Sequence, residues 1–296
     1  MRPEPGIYPD VEFEDYLKWD AVSNSRLKLA DQSLAHYRTG WVGGETKALR
    51  LGSLTHCGQL EPLELAKRYA VMPDYHRHED NVTLEKERSY AKTTKYYIAK
   101  SEQFREANKD KQIVSASDYD EMMGIVSSLA SNEHAMSILG AKGQVEVSIV
   151  WNDPETGLLC KGRFDKLMPG KFGDLKTSAD AKGFEKGIIK FGYHRQMALY
   201  QQGYEVLTGE ILEPNLIAVE TSEPYCSRSA PVCEALLEDG RKEVAELLRK
   251  VAVAIETDQW PGYENPSAWD GPDFYTRKRN FTKPVEATIG GKKVIF

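Results

Sequence analysis

Apolar residues change their spacing twice along this chain, dividing it into helical, strand and again helical stretches. After a short polar lead, SNSRLKLADQSLAHYR (23–38) opens on capping residue types and sets Leu27, Leu29, Leu34 and Ala35 at helical intervals. TKALRLGSLTHCGQLEP (46–62) reads as a compact apolar helix ending near Pro62, with Gly52 and His56 on it. Met122, Ile125, Val126 and Leu129 form one stripe on a helix over 117–139. The period then falls to two. QVEVSIVW (144–151) alternates as a half-buried strand does, and DPETG (153–157) is a turn. LLCKGRFDKLM (158–168) and KFGDLKTS (171–178) are two further strands joined at Pro169-Gly170, completing an antiparallel meander. Helical spacing returns over 188–208 and stops at Gly209. NLIAVET (215–221) is a fourth strand. A long helix over 241–260 places Val244, Leu247, Leu248, Val251 and Ile255 on one side. ATIGGKKVIF at the end of the chain suggests a small hairpin. One α/β domain with embellishments is the simplest account of this order.

Composition narrows the setting without naming a function. Hydrophobic residues make up 41% and charged residues 28% of the 296, ordinary for a soluble protein with a sizeable core. No apolar run approaches the roughly 20 residues that span a membrane. The first residues lack the apolar stretch of a secretory signal, so a cytoplasmic location is expected. Cys57, Cys160, Cys226 and Cys233 are scattered, with no Cys-x-x-Cys pair, which argues against a disulfide framework, a zinc ribbon or an iron–sulfur cluster. A net charge of −6 argues against a non-specific nucleic-acid coater. A nuclease is still allowed, because carboxylates at a metal site and on outer faces lower the total while a local groove stays basic.

The chemistry concentrates in GRFDKLMPGKFGDLKTS (162–178). A turn centred on Pro169-Gly170 sets Asp165 opposite Asp174, and like charges facing across a strand pair are destabilising. The strand is flanked by apolar Phe172 and Leu175, so the pair is at least half buried and needs a cation or a shared proton. A magnesium-type ion is commonly held by one or two carboxylates with waters and a substrate phosphate. Lys176 lies on the same strand face as Asp174, where it can meet that phosphate or help deprotonate the attacking water. By itself Asp-x-Lys is common and reads as solvated surface. His56 sits on an apolar helix, where a lone histidine is more often a satisfied core residue than a ligand. Gln196 and Tyr200 share a helix face at i,i+4 and could contact a phosphate or a base, although such a pair is commonly plain helix surface. Glu146 has two registers open to it: one places it opposite Asp165, the other sends it to the far face.

Taken in order, Gly52-x-x-x-His56, Glu146, Asp165, Asp174-x-Lys176 and Gln196-x-x-x-Tyr200 resemble the PD-(D/E)XK nuclease superfamily, most closely its RecB- and RecE-like branch. LRLGSLTHCGQLEP, EVSIVWNDPETGLLCKGRFDKL, DLKTSADAKGF, YHRQMALYQQGYE and TDQWP all resemble stretches of RecE-type (exodeoxyribonuclease VIII) nuclease domains. Phe164 stands where the superfamily name has proline. The resemblance implies a restriction-endonuclease-like core, a mixed sheet with a central antiparallel meander flanked by helices. It implies one domain over 1–296, with its core at about 20–270 and a C-terminal extension over 271–296.

Carried over residue by residue, the resemblance makes His56, Asp165, Asp174 and the Leu175 carbonyl ligands of Mg²⁺, or of Mn²⁺ in its place. Lys176 would orient or activate the water and steady the developing negative charge, with Glu146 also in the catalytic set. Gln196 and Tyr200 would contact the DNA strand, and Arg163 a phosphate. The implied activity is 5′→3′ digestion of duplex DNA ends to mononucleotides, leaving a 3′ strand for a RecT-like annealing protein. The implied assembly is a homo-oligomeric ring, a trimer or tetramer. Arg77, Lys86, Arg88, Lys92 and Lys95 in the polar stretch 75–111 would face its channel; as plain sequence that stretch is equally a solvated charged helix or arm. Two other readings stay open. One is a PD-(D/E)XK nuclease of other polarity or substrate, such as a RecB-like repair or CRISPR-adaptation type, which would usually carry a cysteine cluster. The other is an inactive DNA-binding relative.

Overall fold

In the computed structural model, which describes residues 1–40, 44, 46–73, 75, 95–263, 286–289 and 292–295, the chain starts at a sheet edge with β1 (Gly6–Tyr8). The short α1 (Phe13–Leu17) follows, then α2 (Asn24–Gln32) and α3 (Leu34–Thr39). The sequence pattern gave α2 and α3 as one helix. Ser33 divides them: its backbone is extended (φ −173°, ψ 160°) and its hydroxyl accepts the His36 N–H, capping α3. Next come α4 (Lys47–Leu60) and α5 (Pro62–Arg68), with Pro62 starting a helix as well as ending one. β2 (Tyr69–Val71) pairs in parallel with β3 (Gln112–Val114), and α6 (Lys95–Ala107) lies between them in sequence. The stripe over 117–139 is also two helices, α7 (Ala116–Ala130) and α8 (Glu133–Leu139), because the Asn132 side chain caps a new start.

The meander has the expected order: β4 (Gln144–Asn152), β5 (Leu159–Met168) and β6 (Lys171–Ser178). The helical stretch after it breaks at Gly192 (φ 67°) into α9 (Phe184–Lys190) and α10 (Tyr193–Thr208), and α10 stops on left-handed Gly209. β7 (Glu213–Glu220), β8 (Ser227–Pro231) and α11 (Glu234–Thr257) complete the unit that spans residues 1–260. Residues 261–296 are a second unit, in which β9 (Glu286–Ile289) and β10 (Lys292–Ile295) pair antiparallel as the terminal hairpin. Among the described residues no helix is long and apolar enough to cross a membrane.

The main sheet has six strands in the order β1-β4-β5-β6-β7-β8. All neighbours are antiparallel except β6 and β7, so the sheet is mixed. Helices cover both faces. On one side α2, α3, α10 and α11 bury Leu27, Met197, Leu199 and Val244 against Ile149, Trp151, Phe164 and Phe172. On the other α4, α7 and α8 bury Leu54, Met122, Ile125 and Ile138 against Leu175, Ile217 and Val219. The N-terminal segment forms a third cluster, in which Tyr16 and Trp19 pack on Val150 and Leu159.

One close approach ties α10 to the sheet. The Phe164 ring meets Phe172 and Tyr200 edge-on, at 4.8 and 5.5 Å between centroids. The Tyr200 ring also lies flush on Gly162, where a Cβ would come within 2.7 Å of it. Gly162→Ala is therefore expected to destabilise the protein by ~1–3 kcal/mol through overpacking, read as a lower urea midpoint at unchanged m-value.

Candidate active site

β6 sends alternate side chains to the two helical layers, and this divides the site into two halves. Asp174 and Lys176 project to the α10 side, Leu175 and Thr177 to the α4 side. The hinge between the halves is the Leu175 peptide. Its N–H donates to Asp165 Oδ2 at 2.7 Å, and its carbonyl accepts from His56 Nε2 at 2.9 Å. A carbonyl can only accept, so the His56 proton resides on Nε2 and its Nδ1 faces the acidic groups. Nδ1 lies 3.6 Å from Asp165 Oδ2 and 4.0 Å from Glu146 Oε1. One ligand atom from each of His56, Glu146 and Asp165 falls within 4.8 Å of the others.

Glu146 reaches this cluster through an irregularity in the sheet. Val145 pairs with Lys166 and Val147 with Phe164, so Glu146 and Asp165 occupy the same rung, yet they form no ladder pair. Glu146 takes a left-handed backbone (φ 54°), uncommon for a residue with a side chain and costly by roughly 1–3 kcal/mol. Alternation flips there: Val145 belongs to the core on the α4 side and Val147 to the core on the α10 side. The register left open by the sequence is thus the one that brings Glu146 to Asp165.

Arg163 holds Glu146 in place. Its Nε donates to Glu146 Oε2 at 2.7 Å, and its Nη1 donates to Ser148 Oγ and the Val11 carbonyl, both at 2.8 Å. The expectation of a phosphate contact at Arg163 is corrected: the guanidinium is buried and committed to the Glu146 carboxylate and the N-terminal segment. Lys161, two residues earlier on the same face, donates to the carbonyls of Tyr16 and Trp19 at 2.8 and 2.9 Å. Burial pulls its ammonium down to about 8.

The other half of the site centres on Asp174. The hairpin ladder runs from Met168–Lys171 to Lys166–Gly173 and stops there, so the facing Asp165–Asp174 pair expected from the turn is not one of its rungs. The two carboxylates take different partners. Asp174 accepts from Gln196 Nε2 at 2.7 Å and pairs with Lys176 Nζ at 2.5 Å. It does not belong to the converging group of His56, Glu146 and Asp165. The Leu175 carbonyl, expected as a ligand, instead orients His56. Tyr200, expected at the DNA, is a core residue whose ring is 8% exposed; burial raises its hydroxyl well above the usual tyrosine range. Arg77, Lys86, Arg88 and Lys92 lie outside the described residues, and Lys95 is an exposed residue at the start of α6.

Sequence reasoning passed over Tyr193. Its ring stands under Lys176, 5.3 Å from Nζ to the centroid, and stacks on Phe184 at 5.6 Å. The only sequence signal was its place three residues before Gln196, on the same face of α10. One cleft of about 1540 Å³ is lined in part by Lys28, His56, Glu146, Asp165, Lys176 and Gln196.

Electrostatics separates the roles of the two halves. Burial, with repulsion from Asp174 and Glu146 added, pushes Asp165 up to about 7 despite the opposing pull of His56 and Lys176. Burial also acts to lower Lys176, but Asp174 and Asp165 more than offset it, and its pKa ends above the ordinary lysine value. Lys176 therefore stays charged. A charged lysine there fits the part of the expectation in which it steadies developing negative charge.

Residues 23–268 match the family described as "PDDEXK-like domain of unknown function (DUF3799)". The chain belongs to this PDDEXK-like family. No curated protein matches it by sequence. A Eubacterium rectale protein provisionally named an exonuclease has a similar crystal structure. The TM-score is 0.58 at 16% identity, over 89% of this chain and 96% of that one, so the PDDEXK-like fold is shared along nearly its whole length. The alkaline exonuclease LHK-Exo of Laribacter hongkongensis overlaps more loosely, with a TM-score of 0.24 at 16% identity over 56% of this chain and 84% of that one.

The donor set of the PDDEXK-like site fits a divalent cation. Two carboxylates and an imidazole nitrogen converge, with hard oxygens for Mg²⁺ and a nitrogen that Mn²⁺ also accepts. The Leu175 carbonyl behind the histidine supplies the outer hydrogen bond that orients such ligands. A pH signature follows. In metal-free protein the folded state keeps the Asp165 proton from its ordinary 3.8 up to about 7, while the unfolded chain has lost it. That contribution to stability is full below the ordinary value and declines as pH rises through this window. Urea unfolding in EDTA should show a decline that Asp165→Asn flattens, and added Mn²⁺ should restabilise wild type but not the variant.

Proposed function

We propose that this chain is a metal-dependent exodeoxyribonuclease acting on duplex DNA ends, and that it digests one strand 5′→3′ as RecE-like enzymes do. The observation that carries the reading is the convergence of His56 Nδ1, Glu146 and Asp165 beside a charged Lys176 in one cleft. The motif order and the stretches similar to RecE support the polarity, the release of mononucleotides and a 3′ tail for a RecT-like annealing partner. A ring of three or four copies would let a protomer of net charge −6 hold DNA by turning its basic residues inward.

His56, Glu146 and Asp165 would hold the Mg²⁺ or Mn²⁺, with Asp174 joining on rearrangement. Bound there, the ion would supply a nucleophilic water at neutral pH and polarise the phosphoryl group. The chain's own residues do the rest. Arg163 keeps Glu146 turned into the cluster. Gln196 and Lys176 hold the Asp174 carboxylate in place. The Lys176 ammonium, seated over Tyr193, stands ready to neutralise charge developing on a phosphate oxygen.

Linear duplex labelled at the 5′ or the 3′ end separates the possibilities. With Mg²⁺ or Mn²⁺, label should leave first from the 5′ end as mononucleotide, and closed circles should survive. Asp165→Ala should remove both cutting and Mn²⁺ binding. Lys176→Ala should keep Mn²⁺ binding, seen by calorimetry, and lose turnover by about 10²-fold or more. Release from the 3′ end would point to a repair nuclease of other polarity, and no cutting with either ion to an inactive DNA-binding relative.

A further inference from the structure

Six of the nine lysines and arginines that line the active-site cleft are committed to carboxylates or backbone carbonyls. Lys161 caps backbone carbonyls, Arg163 holds Glu146, Arg68 pairs with Glu61, Lys18 with Asp15, and Lys176 with Asp174. Lys28 on α2 differs. Its ammonium stands over the same Tyr193 ring as Lys176, 5.5 Å from the centroid. Among the described residues no carboxylate lies within ion-pairing distance of it. Its charged neighbours are Lys176 and Arg195, both cations, and Asp174, which already pairs with Lys176. Shelter in the cleft wall, followed by that repulsion, pulls its pKa down to about 8 although the side chain is exposed. Two ammonium groups against one aromatic ring, one without a counter-charge, form an arrangement that a bound anion would relieve.

We propose that Lys28 is a phosphate-binding residue that works beside Lys176, taking a backbone phosphate of the DNA strand lying in the cleft. The inference rests on the nuclease reading and adds to it a residue that the motif order does not contain. The Tyr193 ring gives both ammonium groups a common surface. α2 is fixed for this purpose by Ser23, which caps its first turn, and by Leu27, which is fully buried against the sheet, leaving the neighbouring position 28 to face the cleft.

The salt dependence of cleavage tests this. Initial rates on end-labelled duplex with Mg²⁺, measured over a range of KCl concentrations, give the slope of log(kcat/KM) against log[KCl]. A residue that neutralises one phosphate contributes about 0.9 to that slope on duplex and about 0.7 on single strands. Lys28→Gln should lower kcat/KM by about tenfold at low salt, the worth of one charged contact, and make the slope shallower by that amount. Lys28→Arg should restore both. A slope unchanged in Lys28→Gln overturns the proposal even if the rate falls, because a structural loss does not alter counterion release. If wild type cuts only in the presence of metal and the slope of the variant matches it, this inference alone fails. If wild type does not cut at all, the nuclease reading fails and takes this inference with it.

Discussion

The peptide of Leu175 is the constraint on which the site depends. A single strand residue donates its N–H to one acidic group and offers its carbonyl to the histidine, so Asp165 and His56 are positioned by the same rigid unit. The Leu175 side chain is fully buried between α4 and the sheet, and β6 is paired along its whole length with β7. Neither ligand can shift without disturbing a ladder and a core. That explains how Asp165 and His56 stay gathered although burial, with repulsion from Asp174 and Glu146 added, raises the Asp165 carboxyl. An inverse consequence is that the neighbouring residues 174 and 176 must point to the opposite layer. The cationic half of the site is therefore built on α10, and the anionic half on α4.

Burying so much charge costs free energy, and the fold offsets it with specific partners. Arg163 neutralises Glu146 from behind and reaches the Val11 carbonyl, which brings the N-terminal segment into the support of the site. Lys176 pairs with Asp174, and Gln196 donates a hydrogen bond to it. The left-handed backbone at Glu146 is the strain left over: the meander gives up its regular alternation at one rung so that a carboxylate on the neighbouring strand can face the cluster.

What could be read from the sequence was what is local. The alternation and the Pro-Gly turn gave β5 and β6 almost to the residue, and with them the hairpin register as far as Lys166 opposite Gly173. Gly209 marked the end of α10 for the reason glycine usually does. The breaks at Ser33 and Asn132 were hidden because the apolar stripe continues through both, and only the capping hydrogen bonds reveal them. Short edge strands such as β1 and β8 carry too few residues for a period to register. At the site, residue types pointed to the right neighbourhood but not to the partnerships. Nothing local says that Arg163 faces Glu146 and not a phosphate, that Tyr200 packs into the core, or that Tyr193 carries Lys176 on its face. Those facts depend on how α10 and the N-terminal segment close over the sheet.

The most direct test of the account is electron paramagnetic resonance of Mn²⁺ added to the protein, read for hyperfine coupling to an imidazole nitrogen. The arrangement of His56, Glu146 and Asp165 predicts one tightly bound Mn²⁺ coupled to a single histidine nitrogen. That coupling should be lost in His56→Gln and retained when Asn replaces the uninvolved His134. A bound ion with no nitrogen coupling, or a coupling that survives His56→Gln, would contradict the site described.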